Sequence, residues 1–325
     1  MDSLRPLAKM ASDWIIKRYE ETDLKRWNEF IATSRNATFL FFRDYMDYHR
    51  GRFADCSWLA LKGDSLRAVL PADITSDGTL RSHGGLSYGG WVLPQAHLDG
   101  SDLLDIFTAA CHRWREEGIY RLDYKPLPAI YAQRPSQEDL YALFRLGART
   151  SEVSMSATID LRVSPVFNKL RRRNLASVAR LPIEVAETED IPSFMRMLSD
   201  CLRERHDVAP VHSLEEMQYL TRLFPSNIRF FATMLDGKME AGVCVYDTGL
   251  VAHAQYIATT QEGRKLNLLT PLFNYLITEK YADRRYFDFG ISTEDHGRIL
   301  NSGLLRQKYS YGATATVCQR LILDI

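Results

Sequence analysis

Leu268–Gly290 reads LLTPLFNYLITEKYADRRYFDFG, and Leu103–Lys125 reads LLDIFTAACHRWREEGIYRLDYK. Leu269, Leu272, Phe273 and Leu276 recur at spacings of three and four, as do Leu104, Phe107, Cys111 and Trp114. Such spacing puts one apolar face on a helix. In both stretches a short charged turn follows, then an apolar strand with one central aspartate, Asp288 or Asp123. The two aspartates lie 165 positions apart, and so do Leu104 and Leu269, and Gly147-Ala148 and Gly312-Ala313. Self-similarity at a fixed offset, with no gap, marks a duplicated unit.

The match extends outward. Trp58–Asp73 reads as strand, Lys62-Gly63-Asp64 turn, strand, and Arg229–Asp247 as strand, Asp236-Gly237-Lys238 turn, strand. Gly and Asp suit the positive φ angles of tight hairpins. Each half therefore reads as hairpin, further strand, helix, strand, helix, strand. The expectation is an α/β (α+β) protein of two tandem units, residues 1–160 and 161–325, each a mixed, mostly antiparallel sheet flanked by helices. A basic segment, Phe167–Leu181, opens the second unit.

Bulk composition narrows the function classes. The 325 residues carry 41 basic and 41 acidic side chains. A zero balance argues against nucleic acid as the main partner, since phosphate binding usually leaves a basic surplus. Five cysteines, Cys56, Cys111, Cys201, Cys244 and Cys318, form no CxxC pair and sit in no nucleophile motif. They read as reduced thiols of a cytoplasmic protein. Met1–Ile16 has no signal-peptide apolar region, and no apolar run approaches a membrane span.

Hairpin, further strand, helix, and a strand ending near an acidic residue resemble the GNAT acetyltransferase fold. The tandem arrangement looks like the FemAB-type acyltransferases. Three passages carry that closer resemblance: the basic helix Phe167–Leu175, the Phe287-Asp288-Phe289-Gly290 strand, and Leu305–Gly312, which resembles the C-terminal basic, aromatic, glycine strand of that group and holds Lys308 and Tyr311. The resemblance implies acyl transfer to an amine, with acyl-CoA (acetyl-CoA) as co-substrate and no metal. It implies an acceptor such as a sugar nucleotide or lipid-linked sugar of surface-polysaccharide synthesis. A FemAB-type aminoacyltransferase on a peptide or glycan precursor, and a non-catalytic binding scaffold, are the alternatives. Gln261–Leu269 stands where GNAT enzymes place the glycine-rich turn for the coenzyme A pyrophosphate. Only Gly263 remains there; Arg264, Lys265 and Asn267 are the other expected donor-binding residues.

Such a reaction needs a base, donors for the developing oxyanion, and an acid for the leaving group. Alternation along Val251–Ile257 predicts that His253 and Gln255 share a face, with His253 a candidate base. Asp288, inside an apolar strand, needs a partner. It would orient His253 or bind the amine. Glu294, in the polar loop after it with Ser292, is a second candidate base. His206 and His212 flank a loop suited to the acceptor, and Ser213 and Glu216 form a capping box just beyond. In the first unit His83 opens the glycine-rich stretch His83–Gly90, expected to line the acceptor site. Gln255, Ser292, Lys308 and Tyr311 complete the expected substrate contacts. The spacing of His206 and His212 fits no standard metal site.

Overall fold

The computed structural model describes residues 13–325 except Asp207, without the side chains of Arg205 and His206. Two compact units emerge. One runs up to Ser151 and also takes Gln319–Ile325; the other is Glu152–Cys318.

In the first unit, Trp14–Arg18, Trp58–Lys62 and Ser65–Leu70 form an antiparallel three-stranded sheet. Thr79–Arg81 runs parallel to Arg121–Tyr124. The helix Gly100–Glu116 connects them. Asp99 caps it, accepting from the amides of Ser101 and Asp102, in a reciprocal capping box. Its buried face is Leu103, Ile106, Phe107, Ala110, Cys111 and Trp114, which packs with Trp58, Trp91, Leu321 and Leu323.

In the second unit the strand order runs from the part of Arg149–Asp160 that belongs to it, through Tyr286–Ile291, Val251–Thr259, Lys238–Asp247 and Ile228–Leu235, to Ile183–Thr188. All pairs are antiparallel except Val251–Thr259 with Tyr286–Ile291. The Leu235↔Lys238 hairpin turns on Asp236 (φ 50°) and Gly237 (φ 76°), the double positive φ of a type I′ turn. One face of this sheet, Phe231, Val243, Val245, Ala252, Ala254, Phe287 and Phe289, packs on Leu272, Phe273, Leu276 and Tyr281. The helix Ile191–His206 meets the sheet through Phe194, edge-on to Phe230 at 5.0 Å.

The duplicated pattern is present in three dimensions, with two differences from expectation. The helix of the second copy is broken into Gln261–Lys265, Leu269–Tyr275 and a π-turn Leu276–Lys280. Asn267, at φ 60°, interrupts it; asparagine tolerates that left-handed geometry better than most residues. The expected strand over Leu305–Gly312 is instead the helix Ser302–Tyr309. Asn301 caps it by accepting from the Leu304 amide at 2.9 Å. Only after Gly312, at φ 91°, does the strand Thr314–Asp324 begin.

The long strands that close the two halves, Arg149–Asp160 and Thr314–Asp324, start the same 165 positions apart. Each finishes the other half's sheet. Asp160, Ile159 and Thr158 pair with Tyr286, Phe287 and Asp288, whereas Leu321–Asp324 pair with Arg121–Tyr124. Arg320 holds Asp123 through two bonds, at 2.6 and 2.5 Å. The units therefore divide at 151/152 and 318/319, where the sequence alone placed one cut at 160/161. Periodicity marks where a strand lies but not which sheet takes it.

Candidate functional site

The parallel ladder between Val251–Thr259 and Tyr286–Ile291 is three residues long, ending at His253↔Asp288. Beyond that point the strands part. Val251–Thr259 stays with Lys238–Asp247 as far as Thr259, while Tyr286–Ile291 stays with Arg149–Asp160. A cavity of about 630 Å³ has Ile257 and Thr259 from one arm and Phe289 from the other on its wall.

His253 and Asp288 occupy the last rung. His253 Nδ1 lies 2.8 Å from Asp288 Oδ2. Asp288 Oδ1 accepts from Ser156 Oγ at 2.5 Å and Thr158 Oγ1 at 2.9 Å. Burial pushes the Asp288 carboxyl up, but hydrogen bonds and charge from His253, with the two hydroxyls, outweigh it and hold the group below its ordinary range. An ionised Asp288 fixes the proton of His253 on Nδ1 and leaves the Nε2 lone pair as the base. The His253 side chain keeps 20% exposure, whereas Asp288 keeps 4%.

Gly290 lies against this pair: a Cβ there would stand 3.4 Å from His253 Cε1. On Gly290 also sits Lys308, whose ammonium donates to Gly290 O at 2.8 Å and Ile291 O at 2.6 Å. Burial lowers the Lys308 amine to about 8 against the opposing pull of Asp288. Lys308 lines the cavity as well, so it joins the cavity to the dyad. Tyr311 stacks on Phe289 with centroids 5.5 Å apart. Arg171 lies 4.5 Å over the Tyr311 ring and donates to Ser310 Oγ at 2.7 Å and Thr270 Oγ1 at 3.2 Å. Arg171, Arg264 and Arg306 also line the cavity. The site thus offers a base on one side of the parted strands and a cationic cavity reached past Lys308.

Residues 167–298 match the model of the acetyltransferase (GNAT) domain family Acetyltransf_6. The second unit is a GNAT acetyltransferase domain. The whole chain superimposes on FemX with a TM-score of 0.68 at 12% identity, covering 95% of this chain and 97% of that one. The L-PGS structure from Bacillus licheniformis gives 0.59 at 12% identity, covering 95% and 93%. A tandem GNAT protein from the clavulanic acid biosynthesis pathway gives 0.53 at 12% identity, covering 96% and 98%. At such identities the likeness is one of fold, and that fold is the tandem GNAT arrangement. No curated protein sequence gave a match.

Within the GNAT domain the donor-side residues divide. Gly263, Arg264 and Asn267 line the cavity. Arg264 donates to Glu204 Oε2 at 2.7 Å. Lys265 is not on the cavity wall; it is exposed and stands 3.6 Å from Glu262. Gly263 has a packing reason to be glycine: a Cβ would meet Glu240 O at 2.1 Å and Thr259 Oγ1 at 2.6 Å. Thr260 caps the Gln261–Lys265 turn by accepting from the Gly263 amide. Gly263→Ala must push two backbones apart. It is expected to cost about 1–3 kcal/mol, read as a fall in Tm by differential scanning fluorimetry; an unchanged Tm would show that the turn moves freely.

The remaining expected residues are spread out. His212 is buried and its Nδ1 meets the Tyr256 hydroxyl. The bulge that skips Gln255 in the ladder with Lys238–Asp247 reverses the alternation. His253 therefore shares its face with Tyr256, which the simple alternation put on the opposite face. Glu294 is exposed and accepts from Asn301 Nδ2 at 2.8 Å, so it braces the cap of the Ser302–Tyr309 helix. Ser292 is buried, and its hydroxyl has no hydrogen-bond partner among the described residues. His83 belongs to the first unit, buried at φ 64°, its ring 5.2 Å from that of His49. Burial takes His83 well below the usual imidazole range. The His206 side chain lies outside the described residues.

Sequence reasoning did not single out Ser156, Thr158, Tyr256 or Arg306. The two hydroxyls at alternate positions of one strand were the only signal for the first pair. Arg171 was visible only as part of a basic run. Burial raises the thiols of Cys56 and Cys111 to about 11 and of Cys318 to about 12, and takes that of Cys244 well above its usual value. Thiols so raised are poor nucleophiles.

Proposed function

We propose that this acyltransferase moves an acyl group, acetyl first among them, from acyl-CoA to an amine of a sugar nucleotide or lipid-linked surface-glycan precursor in the cytoplasm. The observation that carries the reading is the His253–Asp288 dyad at the point where two parallel strands part beside a cationic cavity. The cavity fits an elongated anionic donor: Arg171, Arg264 and Arg306 supply charge, and Tyr311 and Phe289 supply an apolar wall. Recognition falls to guanidinium groups, because Gly263 turns its open side to the Glu240 carbonyl and not to a ligand.

Bound there, the donor supplies an activated carbonyl. His253 Nε2 takes a proton from the acceptor nitrogen as the new C–N bond forms. Asp288 steadies the resulting imidazolium and keeps the ring aimed. Lys308 gives a proton to the leaving group as its bond to the carbonyl carbon breaks. An amine near 8 is matched to a thiol leaving group, whose own value is close to 8.5. His253 then loses its proton and Lys308 regains one from water, so the enzyme returns unchanged.

The pH profile follows with a definite sign. Activity falls as Lys308 loses its proton, with the falling limb near pH 8. Lys308→Arg is expected to move that limb well upward, and Lys308→Met to lower kcat across the whole profile. A falling limb that stays near pH 8 in Lys308→Arg would take the acid role away from Lys308.

The donor is tested by isothermal titration with coenzyme A and acetyl-CoA. Saturable binding is expected, weakened about tenfold or more by Arg171→Ala, since removing a charged hydrogen-bonding partner costs about 1.5–3 kcal/mol. A folded protein that binds neither would shift the reading to an aminoacyl ester donor. The absence of an amide cradle at Gly263 favours that second reading.

A further inference from the structure

We propose that the GNAT domain docks on an anionic membrane surface through the segment from Val163 to Arg180 and the neighbouring helix Ser302–Tyr309. Val163 and Val166 are 67% and 71% exposed, and Leu170 is 53% exposed. Three aliphatic side chains in eight positions therefore stand in water. Between and beyond them Lys169, Arg172, Arg173 and Arg180 are exposed. Among the described residues none of these four, nor exposed Arg306, has a carboxylate within ion-pair distance. Residues 163–181 contain no Asp or Glu, in a chain whose 41 basic and 41 acidic residues otherwise balance.

The two segments form one surface. Asn168 N donates to Ser310 O at 2.9 Å. A Cβ on Gly312 would lie 3.1 Å from Val166 N. Leu170, Leu304 and Arg306 share the rim of the cavity. Arg171 turns the other way, onto Ser310 and Thr270, and is not part of the docking face.

Exposed aliphatics beside unpaired basic side chains suit the boundary between lipid phosphates and hydrocarbon. A polyanion without hydrocarbon, such as RNA, would engage the arginines and leave Val163 and Val166 in water. The apolar members therefore select a lipid surface. Such docking would hold the enzyme at the bilayer, where a lipid-borne acceptor would reside. The docking itself does not depend on acyl transfer and is tested without it.

The test is co-sedimentation of the full chain with phosphatidylcholine vesicles, with and without phosphatidylglycerol. Binding is expected only to the phosphatidylglycerol vesicles, and to weaken with salt. Val163→Ser with Val166→Ser is expected to weaken it about tenfold, as loss of buried methyl groups requires. Arg172→Glu with Arg173→Glu is expected to abolish it. An unchanged melting curve and unchanged coenzyme A titration in these variants would separate loss of docking from misfolding or a lost donor site. No binding to the anionic vesicles would overturn the proposal. So would binding that the serine variant leaves intact, which would mark a phosphate-only patch of the kind RNA occupies.

Discussion

His253→Ala is expected to lower kcat by about 10²–10⁴-fold, the usual contribution of a positioned general base, with little change in donor affinity. His253 stands at the last rung before the strands part, its Nδ1 is committed to Asp288, and its other nitrogen is the free lone pair. No other described imidazole occupies that position. His212 is committed to Tyr256 on the same sheet face. Steady-state rates against an amino-sugar acceptor check the prediction. Asp288→Asn is the companion measurement: the amide can still accept from Ser156 and Thr158 but presents a donor to Nδ1, favouring the wrong tautomer. A kcat in His253→Ala within a few-fold of the parent would remove the base role, whatever the behaviour of Asp288.

Deleting residues 319–325 is expected to unfold the first unit, although the deleted segment is more than 160 residues from most of it. Leu321 and Leu323 are 7% and 4% exposed in that unit's core. Loss of each costs about 2–5 kcal/mol. Asp123, buried with 9% exposure, would lose both bonds from Arg320. Breaking a buried pair on one side costs a further 3–5 kcal/mol or so. Together these approach or exceed the roughly 5–15 kcal/mol that holds a typical domain. Hydrogen exchange resolved by peptide would show fast exchange through residues 13–151 and retained protection in 183–291. Uniform protection in both would mean that the first unit holds without its borrowed strand.

Much of this was legible in the sequence, for reasons that particular residues make plain. The helix at Leu269–Leu276 and the strand at Tyr286–Phe289 announce themselves because apolar spacing is a local property. Asp288 was conspicuous because a carboxylate in an apolar strand needs partners, and Ser156, Thr158 and His253 are among them. His253 followed from its place on the preceding strand. The bulge at Gln255 was not legible; one extra residue leaves no mark in composition, yet it decides which side chains share the face of the dyad. The Ser302–Tyr309 helix was hidden because Arg306, Gln307 and Lys308 imitate a polar strand and its signal is a single capping asparagine. Gly263 was legible as a special position but not for its reason, since Glu240 lies 23 residues away in sequence and touches it only through the hairpin.

The exchanged strands also set an order of events during synthesis. As the nascent chain emerges, the first unit is complete in sequence up to Ser151 but lacks the edge that Leu321 and Leu323 supply. The second unit has every strand it needs once Cys318 has left the ribosome. The half made first is thus the half that closes last, and until residues 319–325 arrive, the open edge beside Arg121–Tyr124 must be kept from pairing with other chains.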